Sequence, residues 1–147
     1  MPHTIFNAFL CDGQLAGIRL GDSLDQVRTI LGNPLDTSPP SGARPHTTLW
    51  KYDSLQLAFV DSALPLIAFY FWDSETPSLP AALGGQLLPF TLASTQDQLK
   101  AYVRTLGLTQ RPQVATDPTV IVLSSNVIVA FDDDGTLRKI LATAPQF

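Results

Sequence analysis

The feature that most limits what this chain can fold into is an internal repeat of an alternating pattern. The stretch Trp50 to Phe59 lies without gaps on Val122 to Phe131, so that Leu55, Leu57 and Phe59 match Val127, Val129 and Phe131. Asp53-Ser54 and Ser125-Asn126 fall on the same small polar step between two period-2 runs, which is the pattern of a β-hairpin. A second turn follows each hairpin, at Asp61-Ser62-Ala63 and at Asp132-Asp133-Asp134-Gly135-Thr136. After it comes a third apolar run, Leu66 to Trp72 or Leu137 to Thr143, with Ile67 matching Ile140.

Each triplet is preceded by a helix signal. Ser23 with Gln26, and Thr95 with Gln98, have capping-box spacing: the hydroxyl accepts from a free first-turn N–H while the glutamine reaches back. Leu24, Val27, Ile30 and Leu31 form one apolar stripe, stopped by Gly32 and Pro34. Leu99, Tyr102, Val103 and Leu106 form the other, stopped by Gly107. The expected fold is therefore α+β, a tandem repeat of helix plus three-stranded antiparallel sheet with the helices packed on one face. Residues 1–147 would form a single domain of two repeats, about 15–75 and 87–145. Pro-rich stretches at 34–45 and 77–89 read as a loop within the first repeat and the Pro/Gly-rich connection between the two. A chain of 147 residues can bury a core without staples, whereas half of it alone would be marginal.

Charge and cysteine use narrow the partner classes. A formal net charge of −4, with no Lys/Arg cluster, argues against nucleic acid or an anionic membrane and leaves a basic protein as a suitable target. The single cysteine, Cys11, can make neither an internal disulfide nor a cysteine-rich zinc site. Residues 4–11 look superficially like a lipoprotein signal ending at Cys11. They lack a positive n-region, include Asn7, and place the bulky Leu10 before the cysteine, so a cytoplasmic location is expected. No apolar run approaches the roughly 20 residues of a membrane span.

The residues Gly21-Asp22-Ser23, Val27, Leu31-Gly32-Asn33-Pro34, then Trp50-Lys51-Tyr52 and Leu57-Ala58-Phe59, carry a resemblance. Gly-x-Ser/Thr, then Val, then Leu-Gly-x-Pro ahead of an aromatic hairpin resembles the small outer-membrane assembly lipoproteins. It is also similar to the tandem-repeat β-lactamase inhibitory proteins, which look like two such units fused. The match runs over residues 18–72 and, in outline, 90–143. The second half departs from it, having no glycine before its cap and no Leu-Gly-x-Pro ending. The resemblance implies a non-enzymatic module that binds another protein with its sheet.

The sharpest enzymatic pattern is Ile128 to Leu137, an apolar strand ending in Asp132-x-Asp134-Gly135-Thr136. It is similar to the first motif of the haloacid-dehalogenase phosphatases, where the first aspartate is nucleophile and the second general acid. That motif opens a doubly wound domain and needs a long stretch after it for a lysine and magnesium-binding acids, so a β-turn of favoured Asp and Gly residues is the better reading here. An EF-hand reading fails for want of a distal acidic ligand, and no metal or cofactor is expected. Cys11 with His3 or His46 has no third orienting group to make a nucleophile pair.

The hairpin arithmetic yields a candidate partner site. With a two-residue turn at Asp53-Ser54, Tyr52 faces Leu55, Lys51 faces Gln56 and Trp50 faces Leu57. Trp50, Tyr52, Leu55, Leu57 and Phe59 then share the core face, joined by Ile67, Phe69 and Phe71. Tyr70 and Trp72 point the other way, beside Lys51, Gln56 and Ala58, a composition expected of a binding hot spot. Asp132, Asp133 and Asp134 could clamp a basic partner. The functional expectation is a protein-binding module, most concretely an immunity-type inhibitor of a bacterial toxin with a basic domain. An envelope-associated or housekeeping adaptor is the alternative, and an enzyme of unrecognised type the third.

Overall fold

The computed structural model describes residues 3–43, 45–61, 63–71, 76–111 and 118–144. Among the described residues, three short α-helices, α1 (Thr4–Asp12), α2 (Leu24–Leu31) and α3 (Gln96–Thr105), accompany seven strands. These are β1 (Asp36–Ser38), β2 (Thr47–Tyr52), β3 (Leu55–Val60), β4 (Ala63–Tyr70), β5 (Val120–Val122), β6 (Ile128–Phe131) and β7 (Leu137–Thr143). They form one antiparallel sheet in the order β1-β2-β3-β4-β7-β6-β5.

This corrects the expected fold class. The chain is a sheet-dominated fold, not a tandem of helix-plus-three-strand units, for four physical reasons. First, β4 pairs β7 from Leu66↔Thr143 to Tyr70↔Lys139, so the two sets of strands share one hydrogen-bonded ladder. Second, the polar segment Asp36–Ser38 adds a three-residue edge strand beside β2, where among the described residues the second half has only an isolated bridge between Gln110 and Leu123. Third, α1 has no counterpart in the second half among the described residues.

The fourth reason lies in the second hairpin. In the first, Tyr52 pairs directly with Leu55, leaving Asp53, at φ 50°, and Ser54 as a two-residue loop. In the second, the Leu123 N–H donates to the Val127 carbonyl and the Asn126 N–H to Leu123, so three residues turn, with Asn126 at φ 72°. A three-residue loop closing on a left-handed residue shifts the ladder by one. Val122 therefore pairs Ile128, and Ile121 pairs Val129. Ile121 and Leu123 go into the core while Val122, the gapless equivalent of buried Trp50, is half-exposed.

Both capping boxes form. The Gln26 N–H donates to Ser23 Oγ at 3.2 Å and the Ser23 N–H to Gln26 Oε1 at 2.8 Å. The same exchange at Thr95 and Gln98 spans 3.1 and 2.9 Å. Val27 and Leu31 of α2, and Leu99 and Val103 of α3, are buried against the sheet. The Tyr52 hydroxyl donates to the Gly32 carbonyl at 2.7 Å, tying the end of α2 to β2, and burial pushes its pKa up to about 12 against the opposing charge of Arg28.

The centre of the core is aromatic. Phe69 of β4, fully buried, receives Phe6 and Phe9 of α1 edge-on, each ring centroid at 5.3 Å. The connection after β4 also contributes: Leu79, Leu88 and Phe90 are buried, with Phe90 against Tyr102 at 4.9 Å. The third strand of the first half, expected to reach Trp72, ends at Tyr70, and Trp72 lies outside the described residues. Among the described residues, no helix is long and apolar enough to cross a membrane.

Candidate binding surface

The helices cover one face of the sheet, and the other face is built by the alternate residues of every strand. Its middle row crosses the whole sheet: Asp36, Lys51, Gln56, Ala68, Leu141, Ile128 and Val122 are successive ladder partners. On one side of it run Ser38, Leu49, Ala58, Leu66 and Thr143. On the other run Tyr70, Lys139, Ala130 and Val120.

An antiparallel sheet with one solvated face ordinarily alternates apolar-in with polar-out. Here the outward rows are mostly apolar. Leu49, Leu66, Ile128, Val120 and Val122 are half-exposed, while Ala58, Ala68 and Leu141 are buried. Near the β1 edge, Asp36, Thr37, Ser38, Leu49, Lys51 and Gln56 line a shallow depression of about 170 Å³.

The expected site residues divide as follows. Lys51 and Gln56 are direct partners on this face, and Tyr70 lies diagonal to Gln56, two residues beyond Ala68. Tyr70 is half-buried, and that burial pushes its hydroxyl pKa up while the Arg138 guanidinium pulls it down. Trp72 is outside the described residues. Asp132, Asp133 and Asp134 sit beyond the Tyr70 end of the face, in the turn between β6 and β7.

Two of these carboxylates are engaged within their own turn. Asp134 Oδ1 accepts the Thr136 hydroxyl at 2.7 Å and the Thr136 N–H at 3.0 Å, and those two bonds hold its pKa below the ordinary carboxylate value. Asp132 accepts from the Thr136 hydroxyl at 3.3 Å and pairs with Arg138 at 3.8 Å. Arg138 is the extra residue where Ala130 pairs Lys139 but Phe131 pairs Leu137, a bulge that turns its side chain toward the Asp-rich turn. Asp133 is exposed.

A depressed pKa means this turn contributes stability above the unfolded carboxylate pKa and loses it as pH falls through the folded value. Thr136→Val removes the stronger donor, so the Asp134 pKa should rise toward the ordinary carboxylate range. A carbon-detected NMR titration of the aspartates reads this directly, and an unmoved Asp134 would assign the shift to the backbone bond alone.

The other candidate groups do not converge. His3 precedes α1 and Cys11 is close to its far end, about 12 Å along the axis. His46 pairs instead with Asp61 at 3.3 Å on the surface. Among the described residues, no three His, Cys, Asp or Glu side chains gather as a metal site.

Ladder arithmetic on the first hairpin was enough to place Lys51, Gln56 and Tyr70 together. It missed Leu49, Leu66, Leu141, Ile128, Val120 and Val122. For Leu66, Val120, Val122 and Ile128 the signal was present in the unbroken apolar runs Leu66 to Tyr70, Val120 to Leu123 and Ile128 to Phe131, because strands apolar on both faces are those whose two faces are both covered. No protein-family model, curated protein or solved structure matches the chain.

Proposed function

We propose that this protein is a non-enzymatic binding module that receives another protein on the outward face of its sheet. In its most concrete form it is an immunity-type inhibitor of a toxin. One observation carries the reading: the outward positions of β2 to β7 are predominantly apolar and half-exposed although all three helices pack on the opposite face. Half-exposed apolar surface of this kind, interspersed with Lys51, Gln56 and Lys139, is the composition of an interaction site. The net charge of −4 suits a basic target.

Tyr70 is the aromatic anchor of that face. Tyr70→Ala should leave the melting temperature within a few degrees of wild type and weaken the partner by about 2 kcal/mol or more, roughly thirtyfold, as for a hot-spot residue. Leu66→Lys places a charge in the same patch and should act in the same direction. Affinity capture from the source cell with wild type and both variants is the test. A protein held by wild type and lost by both supports the reading, whereas identical capture by all three overturns it.

A further inference from the structure

Among the described residues, the large apolar side chains that stand exposed are Leu35, Leu87 and Leu92, at 72%, 58% and 37%. They are distant in sequence, yet the fold brings all three to one end of the sheet. The Leu35 N–H donates to the Lys51 carbonyl at 2.9 Å, beside the end of β2. Leu87 bridges Ser78, whose N–H donates to Ser54 Oγ in the β2–β3 turn at 3.2 Å. The Leu92 carbonyl accepts from the Leu137 N–H at 3.0 Å, at the start of β7.

Their exposure does not come from a loosely packed segment. Leu88, next to Leu87, is 6% exposed and Phe90 is 3% exposed, so the connection sorts its apolar residues into inward and outward ones. Exposed leucines scattered singly carry no meaning, but here three from distant segments stand at the same end of one sheet. The same end holds the exposed Asp53 in the β2–β3 turn and Asp132, Asp133 and Asp134 in the β6–β7 turn. Asp36 stands at the same end, beside Lys51, so five carboxylates face the three cations Lys51, Lys139 and Arg138, of which Arg138 pairs with Asp132.

We infer that this end of the sheet is a docking surface for a segment of a partner protein that combines apolar and basic side chains. The inference rests on the reading that the chain binds another protein, and it adds a second surface and the partner's charge. A second copy of this chain does not offer the complement, because its 9 Lys and Arg residues form no cluster.

The probe is a labelled synthetic Lys/Leu amphipathic peptide with a Glu/Leu twin, each titrated with the full chain by fluorescence anisotropy. Wild type should bind the Lys/Leu peptide, more weakly as salt rises, and reject the twin. Asp53→Asn with Asp133→Asn should weaken binding about tenfold, and Leu35→Ser with Leu87→Ser should do the same. Asp25→Asn with Asp61→Asn removes the same charge at the far end and should stay within about twofold.

Equal losses from the two charge pairs would mean unspecific attraction and overturn the inference. So would indifference to the leucine pair, equal binding of the twin, or self-association of the wild type in sedimentation. Leu66→Lys separates this claim from the preceding one. A cellular partner lost by Leu66→Lys but retained by both sheet-end variants refutes the docking end and leaves the outward face standing.

Discussion

Phe69→Ala should lower stability by about 3–5 kcal/mol, the cost of a large cavity in a site that cannot collapse. Phe69 is fully buried, and its strand is hydrogen-bonded on both sides, with Leu55 as its partner in β3 and Ile140 in β7. Backbone fixed on two sides cannot move in to fill the space. Two edge-to-face contacts vanish as well, with Phe6 and Phe9 at interplanar angles of 76° and 75°, each worth about 0.5–1.5 kcal/mol beyond its buried area. The adjacent residue supplies the control, since Tyr70 points to the other face and its truncation should cost far less. Denaturant midpoints of the two variants test the strand parity directly. Equal costs for Phe69→Ala and Tyr70→Ala would mean that the outward face is covered and is not a binding surface.

That parity was legible in the sequence because an antiparallel hairpin with a two-residue turn leaves no freedom. Once Asp53-Ser54 is placed, every partner from Trp50↔Leu57 to Tyr52↔Leu55 follows. The capping boxes were equally legible, since their chemistry is local. The second hairpin was not, because whether Ser125-Asn126 turns alone or with Ser124 depends on tertiary context. The Ser125 hydroxyl donates to the Leu10 carbonyl at 2.6 Å, a contact with a helix no pattern had located. Strand β1 is built of Asp, Thr and Ser and carries no apolar period, so only its pairing with β2 defines it.

The candidate surface divides along the same line. Lys51, Gln56 and Tyr70 came from local ladder arithmetic. The outward leucines and valines needed the knowledge that all three helices choose the same face. The grouping of Leu35, Leu87 and Leu92 needed the whole topology, since their segments meet the sheet end through Lys51, Ser78 and Leu137.

A chain lacking residues 1–12 should fail to fold, the largest effect expected of any change considered. Helix α1 was hidden in the sequence because its start is uncapped: His3 sits at φ 64° with no side-chain cap, and no acidic residue occupies the first turn. Its apolar residues instead resembled a processing signal. Yet Phe6, Phe9 and Leu10 are all fully buried, and at about 1.5–3 kcal/mol each their burial contributes roughly 5–9 kcal/mol. That is comparable with the whole stability of an ordinary domain, about 5–15 kcal/mol. The deletion also uncovers Phe69 and leaves the part-buried Tyr102 hydroxyl without Asn7 Oδ1, to which it donates at 2.6 Å. Far-UV circular dichroism and proton NMR dispersion read the outcome. A shortened chain with a cooperative melt near that of the full one would show that the sheet and the other two helices suffice. It would also show that α1 rests on the core without being part of it, and that Phe69→Ala should then be far milder than its burial requires.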